Sequence, residues 1–520
     1  MSTNKSVARS ASLIGAGTLL SRILGFIRDI VIARLFGVYI YAQAFVVAFR
    51  IPNLLRDLVG EGAVNAALVP VLSEYKQKHS PKEFWELANV MLNLLLVISM
   101  VLTLLGIVFS PFLVRIMAPG FIASPEKLAA TIKLNQIIFP YIILISLTAY
   151  AMGVLNSLKH FTAPAFASCL LNISIICFAM LFGEGIKGLA LGVLVGGVLQ
   201  LAIQIPFLYR KGFRLRLFQQ FMHPAVKSVG RLMVPRLASS SIYQLNNFVD
   251  SIFGSLVWIV GEGGVAVLYF SYRLILFPLG IFSTALSQAL LPTFSTQALE
   301  HDQAPLRHSL SWGLRAMFFI MLPASFGFIA LSRIIIATLF EGGKFDHYSV
   351  GLTAQTLLFY SIGLFAYGGT KILQSCFFAL KDTVTPTKVA FFAFIMNVIL
   401  NALFMFPLKL AGIALATSVS GIATFLMLFA LLKKRIGDFQ TRRIMGAGLR
   451  MFLASACMAL VCFGVSRLAI IPLRSVVYKF ANLSFLLIIG IVSYALFCLL
   501  FKVAELGELW RWVTKRKLQS

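Results

Sequence analysis

Leu87-Ala-Asn-Val-Met-Leu-Asn-Leu-Leu-Leu-Val-Ile-Ser-Met-Val-Leu-Thr-Leu-Leu-Gly-Ile-Val-Phe109 runs for 23 residues without a charge. As a helix it is about 34 Å long, slightly more than the roughly 30 Å of hydrocarbon in a bilayer. Similar blocks recur along the whole chain. Of 520 residues, 59% are apolar and only 12% charged, with a mean hydropathy of +0.91. A soluble domain is about one-quarter charged, and one this apolar would expose patches that aggregate. The blocks are about twice as long as the alternating strands of an outer-membrane barrel, so they read as helices.

The length criterion gives about fourteen spans: 8–36, 39–75, 83–110, 128–157, 162–183, 187–209, 225–258, 264–298, 305–331, 350–379, 385–407, 410–433, 443–467 and 479–503. Kinks are expected at Pro52 and Pro278, where a backbone donor is missing. Lys and Arg crowd the even-numbered loops, at Lys76-Lys78-Lys82, Arg210-Lys211-Arg214-Arg216 and Lys433-Lys434-Arg435, and both ends of the chain. The positive-inside rule then puts both termini in the cytoplasm.

Sliding the chain on itself by about 222 residues reveals a repeat. Ala67-Leu-Val-Pro70 falls on Ala289-Leu-Leu-Pro292, Leu158-Lys159 with Pro164 on Leu380-Lys381 with Pro386, and Gly188–Gly197 on Gly412–Gly421 after a two-residue slip. The expected architecture is an all-α polytopic membrane protein. A six-helix bundle at 1–222 and a second at 223–437 surround a central cavity, and helices 13 and 14 with a basic tail occupy 438–520. An even number of helices per repeat makes the two bundles parallel, as in transporters that work by alternating access.

The formal charge is +27, from 45 Lys and Arg against 18 Asp and Glu. Most of the excess belongs to cytoplasmic loops, so no nucleic-acid partner is inferred. All six cysteines lie in apolar blocks without a CxxC pair and read as small hydrophobes. Lys5 and Arg9 ahead of Ala11–Leu20 resemble a signal peptide, but Arg22 and Arg28 interrupt the apolar run beyond Leu20, so an uncleaved first helix is expected. The six histidines are scattered in or beside loops, and no metalloprotease, paired-carboxylate, phosphate-loop or serine-hydrolase arrangement stands out. The chain reads as a transporter, with no enzyme chemistry and no ATP site.

Charged residues inside apolar segments carry the functional reading. Ser21-Arg-Ile-Leu-Gly-Phe-Ile-Arg-Asp29 puts Arg22 roughly 17–20 Å into the first span, too deep to reach the interface easily. Arg22 and Asp29 share a helix face, and Gly25 offers a bend between the arginines. The second span brings Arg50, Pro52, Arg56-Asp57 and Glu61-Gly62, and the eighth brings Tyr269-Phe-Ser-Tyr-Arg273. Arg22, Arg28, Arg56 and Arg273 are expected to meet across the central cavity. Guanidinium groups keep their charge and grip phosphate bidentately, so an anionic or diphosphate headgroup is the natural guest. In the competing reading, Arg28-Asp29 and Arg56-Asp57 merely neutralise each other. Asp250 and Asp382 offer a metal or coupling-cation site; alternatively Asp250 is a hydrogen-bonding group of the cavity and Asp382 a loop or capping residue.

With Phe49-Arg-Ile-Pro-Asn-Leu-Leu-Arg56 and Glu61-Gly62-Ala63 added to Ser21–Asp29, the chain closely resembles the MurJ/MviN family of lipid II flippases. The resemblance continues through Ala118-Pro-Gly-Phe121, residues 139–145, Leu171-Asn-Ile173 and Arg273–Pro278. It implies fourteen helices in a MATE-like fold of the MOP superfamily, with helices 13 and 14 forming a groove for the polyprenyl tail. It also implies that Arg22, Arg28, Asp29, Arg56, Glu61 and Arg273 bind the diphosphate and sugar-peptide headgroup. Two positions depart from the family pattern: Gln43 and Tyr272 stand where members often carry an acid, which puts in doubt any coupling scheme needing those acids.

The expected function is translocation of undecaprenyl-diphosphate-linked peptidoglycan precursor from the cytoplasmic to the periplasmic leaflet of a bacterial inner membrane. A flippase for another polyprenyl-linked glycan, or a scaffold for cell-wall synthases, is the alternative. The expected partners are lipid II, membrane lipids and, in the scaffold reading, those synthases. No cofactor is expected; membrane potential and a monovalent cation both remain open as energy sources.

Overall fold

Ser80 and Pro81 set the start of the helix that contains the long uncharged run. The Ser80 Oγ accepts from Glu83 N at 3.3 Å and donates to Glu83 Oε1 at 2.8 Å, and the proline sits where no helical donor is required. A computed structural model describes residues 2–55, 65–183, 185–217, 223–468 and 476–507 of the chain, and no strand occurs among them. Packing divides it into two units, Met1–Trp258 with Glu262–Ala266 and Gly342–Phe345, and Ile259–Gly261, Val267–Glu341 and Asp346–Ser520.

The first unit takes α1 (Ser2–Phe36), α2 (Ile40–Leu55), α3 (Asn65–Lys78), α4 (Pro81–Val108), α5 (Ser110–Met117), a 3-10 turn (Pro119–Ala123) and α6 (Pro125–Ile138). It continues with α7 (Tyr141–Ser157), α8 (Thr162–Phe182), α9 (Ile186–Ala202), α10 (Ile205–Arg210) and α11 (Pro224–Ser255), and the short α12 (Val257–Val260) leads out of it. Helices in a membrane gain little by hiding apolar surface from one another, so close approach through small residues does much of the work. Gly188, Gly192 and Gly196 stand four apart on one face of α9. A Cβ on them would come within 2.7 Å of Phe178 O, 2.8 Å of Ile175 Cα and 3.0 Å of Leu171 Cα, all on α8. Ser174 adds a 2.8 Å bond to Gly192 O. Gly106 likewise makes room for the Phe139 ring.

The repeat assigns α11 to the second bundle, but its packing partners are α3, α5 and the 3-10 turn of the first unit. The reason is a close approach at its far end. Gly120 N donates to Ser255 Oγ at 3.0 Å, and a Cβ on Gly120 would fall 1.8 Å from Ser255 O. The packing boundary therefore comes near Trp258, whereas the repeat boundary is at 222.

The second unit holds α13 (Gly264–Pro278), whose first turn lies in the first unit, a π-helical turn (Leu279–Ser283), α14 (Thr284–Gln297), α15 (Ala304–Leu339) and α16 (His347–Ser361). It ends with α17 (Leu364–Ala379), α18 (Val384–Ile436), α19 (Thr441–Leu468) and α20 (Val476–Leu500). The irregularity expected at Pro278 is the π turn that follows it; Pro52 lies in the last turn of α2. Helices α16 and α17 meet at a bend of 44°. At the bend Gly363 N donates to Ser418 Oγ at 3.2 Å, so the broken ladder is satisfied from α18.

The 53 residues of α18 would make a rod of about 80 Å, far longer than a bilayer is thick. Instead the backbone breaks at Lys409, with φ 52° and ψ −128°. Asn397 donates to Thr417 at 3.3 Å and to Ser420 at 3.4 Å, which requires the chain to double back. It is a hairpin of two spans, matching 385–407 and 410–433. Among the described residues nine helices are long and apolar enough to cross a membrane, or ten with the bent pair, counting this hairpin once. The three remaining spans of the sequence count, 8–36, 39–75 and 225–258, are the most polar.

Candidate functional site: arginines within the spans

Helix α1 runs through Gly25 as one continuous helix. What orients the helix is α8. A Cβ on Gly17 would fall 2.5 Å from Ala165 O, and Asn172 Nδ2 donates to Ser21 O at 3.1 Å and to Ser168 O at 3.3 Å. The same asparagine turns its carbonyl to Arg28: Nη1 donates to Asn172 Oδ1 at 3.1 Å. Arg28 Nε and Nη2 both donate to Asp29 Oδ1, at 3.1 and 2.8 Å. Arg28 and Asp29 are 5% and 1% exposed, so this is a buried ion pair completed by an amide. For these two residues the neutralising reading is the observed geometry.

Arg22 differs. It is exposed, and among the described residues it has no hydrogen bond or ion pair. Fourteen residues separate it from Phe36, about 21 Å of helix. With Arg28 and Asp29 balanced, Arg22 supplies the net positive charge of this part of α1. Arg56, Asp57 and Glu61 lie outside the described residues.

In the second unit, Arg273 is half-buried on α13. Its Nη2 donates to Tyr269 Oη at 2.7 Å, and its guanidinium carbon stands 4.7 Å from the Tyr269 ring centroid. One helical turn separates the two residues, so the phenol is a local clamp that leaves the charge intact. Tyr272, at the position where relatives often carry an acid, instead packs its ring 5.3 Å from that of Tyr360. Gln43 is buried on α2.

Of the two acids offered for a cation, Asp382 is occupied. It accepts from Thr385 N at 2.9 Å and Thr385 Oγ1 at 2.8 Å, capping the start of α18, and it pairs with Arg435. Burial alone would raise its carboxyl pKa, but the Thr385 hydrogen bonds and the Arg435 charge outweigh that and hold it below the ordinary value. It is the capping residue of the alternative reading, with Oδ1 engaged by Thr385 N and Oδ2 by Thr385 Oγ1 and Arg435. Asp250 is half-buried near the end of α11. Among the described residues no three His, Cys, Asp or Glu side chains cluster as metal ligands would.

Sequence reasoning missed the partners. Asn172 had a signal, a lone amide in an apolar span. Tyr269 stands at i−4 from Arg273, the spacing that puts two side chains on one helix face. Lys371, on α17, was also passed over; it is exposed and its Nζ reaches Thr284 Oγ1 at 3.4 Å.

A many-span helical body with cations inside its apolar spans has the build of a membrane transporter. Comparison with known proteins gives the family. The family description "Lipid II flippase MurJ" matches residues 32–491, and the lipid II flippase MurJ of Burkholderia cenocepacia is 36% identical over 465 residues, 88% of this chain and 89% of its own. A solved structure of lipid II flippase MurJ in an inward closed conformation superposes with a TM-score of 0.77 at 27% identity, over 94% of this chain and 98% of the other. The chain belongs to the MurJ lipid II flippase family. An inward-facing multidrug-resistance MATE transporter of the MOP superfamily shares the fold, with a TM-score of 0.68 at 16% identity over 81% of this chain and 95% of its own.

Proposed function

We propose that this protein carries lipid II from the cytoplasmic to the periplasmic leaflet of a bacterial inner membrane by alternating access, with both termini in the cytoplasm. The observation that carries the binding part of this reading is the state of Arg22: an exposed guanidinium, deep in a helix, with no carboxylate beside it among the described residues. Such a charge is expensive in hydrocarbon and is kept where it meets water or a ligand. Arg273, clamped by the Tyr269 phenol, is the counterpart in the second unit. Both offer a permanent charge to a diphosphate. Arg28 and Asp29 act one step back, fixing α1 on α8 through Asn172. The polyprenyl tail stays in the bilayer, against α19 and α20.

Energy is drawn from the membrane potential, worth roughly 2.3 kcal/mol per elementary charge per 100 mV, or from a monovalent cation at Asp250. The test is translocation of defined polyprenyl-diphosphate lipids in proteoliposomes. Arg22→Ala and Arg273→Ala are expected to yield folded, monodisperse protein that moves little lipid. Undiminished movement in the variants rejects the assignment of headgroup binding to these arginines, and no movement by the parent protein favours a scaffold that recruits cell-wall synthases.

A further inference from the structure

The segment leaving α10 has a construction that transport does not require. Phe213-Arg-Leu-Arg-Leu217 alternates apolar and basic residues, the pattern that sends side chains to opposite sides of an extended chain. Two buried asparagines of α4, one turn apart, hold its backbone. Asn89 Nδ2 donates to Arg214 O at 3.1 Å, Arg216 N donates to Asn89 Oδ1 at 2.8 Å, and Asn93 Nδ2 donates to Arg216 O at 3.0 Å.

Pinned this way, Phe213, Leu215 and Leu217 form one wall of a cavity of about 200 Å³. The other walls come from α4, α7, α9 and α10, through residues such as Leu96, Tyr150 and Leu201. Tyr150 spends its hydroxyl on Ala88 O at 2.8 Å, and the lining is almost wholly apolar. The slot is open at one side, where Ile205, Tyr209, Leu215 and Leu217 are exposed. Arg210, Lys211, Arg214 and Arg216 are next to these lining residues in the chain, all exposed and none in an ion pair among the described residues. No Asp or Glu occurs in the sequence between Glu184 and Asp250, so nothing nearby in the chain offsets them.

We infer that this is a binding site for an anionic phospholipid, with one acyl chain in the slot and the phosphate on the cationic fringe. An apolar slot of this size is unusual in a closely packed body and suits a hydrocarbon chain, which restores the lost dispersion contacts. The fringe selects for charge: a basic residue at a membrane surface strengthens the hold on anionic lipid about fivefold. The site lies wholly within the first unit and stands whatever the transported substrate is.

The experiment is native mass spectrometry of the full-length, delipidated protein. It is offered phosphatidylglycerol, phosphatidylethanolamine with the same chains, or free glycerol phosphate. Phosphatidylglycerol is expected to be retained about tenfold or more over phosphatidylethanolamine, and glycerol phosphate not at all. Arg214→Gln with Arg216→Gln should lower retention of phosphatidylglycerol about 25-fold, fivefold per cation, with thermal unfolding unchanged because both side chains are exposed. Leu215→Asp keeps the fringe and spoils the slot, so it should lower retention of both lipids. Equal retention of the two lipids, or no loss in the double variant, overturns the proposal. So does competition by glycerol phosphate, which would reduce the site to an anion patch, or displacement by an equimolar polyprenyl phosphate, which would make the slot an isoprenoid seat.

Discussion

Replacing Glu505 by Gln strips the counter-charge from a guanidinium with no other described place to put its charge. Arg315 lies eleven residues into α15, about 16 Å along the helix. Its side chain is 3% exposed, that of Glu505 is 7% exposed, and the Arg315 Nη1 and Glu505 Oε1 are bonded. Arg315 Nε is buried without a partner, so the carboxylate is the principal compensation the arginine has. Glu505 reaches it from the short segment after α20, which is also tied by Arg450 Nη1 donating to Lys502 O at 3.2 Å. Removing one member of a buried pair costs about 3–5 kcal/mol, much of it the penalty of leaving the other charge unpaired. Glu505→Gln should therefore lower thermal stability in detergent markedly and raise hydrogen exchange across 501–507. The double variant Arg315→Met with Glu505→Leu removes both charges and should recover most or all of the loss. The reasoning is refuted if Glu505→Gln is as stable as the parent, or if the double variant is no better than the single.

Three further outcomes rest on local geometry. Gly192→Leu places a Cβ 2.8 Å from Ile175 Cα; the forced separation of α8 and α9 should cost about 1–3 kcal/mol, read as a lower melting temperature. Tyr269→Phe removes the hydrogen bond to Arg273 but keeps the ring beneath it; lipid translocation should fall less than in Tyr269→Ala, and equal loss in both would mean that the hydroxyl rather than the ring holds the guanidinium. The carboxyl of Asp382 is held below its ordinary pKa, so its cap and ion pair with Arg435 stabilise fully above the unfolded value of about 3.9 and fade as pH falls through the folded value. Asp382→Asn should flatten the acid limb of a stability–pH profile, which an unchanged limb would contradict.

The helical body was legible because its signal is collective: no single residue had to be read correctly for the blocks at 83–110 or 162–183 to stand out. The hairpin at 385–433 was legible too, since neither arm exceeds a bilayer's thickness and Pro407 precedes the break. Harder to read was the allegiance of α11. Its repeat relationship speaks of ancestry, whereas its packing depends on Gly120 meeting Ser255, 135 residues apart, which no local pattern encodes. The candidate site divides along the same line. Positions came from chain-local arithmetic, and partners came from tertiary contact: Asn172 joins Arg28 across 144 residues, and Glu505 joins Arg315 across 190.

That division bears on how the arginines share the work. Arg28, Asp29 and Asn172 are joined by bonds that run from the guanidinium to one carboxylate and one amide, and the amide also grips the backbone of α1 at Ser21. A phosphate approaching Arg28 must displace Asp29, whose own desolvated charge would then be left facing an anion. Arg22 asks for no such exchange, being exposed one residue beyond that backbone grip. Under the proposed function the pair is therefore suited to holding α1 in register on α8, with Arg22 as the charge offered to the substrate and Arg28 as the charge anchored. Asn172→Asp tests this: it keeps the acceptor for Arg28 but loses the Nδ2 bonds to Ser21 O and Ser168 O. The hold of α1 on α8 should loosen, and both thermal stability and lipid movement should fall although Arg22 itself is unchanged; unaltered stability and movement would refute the positioning role.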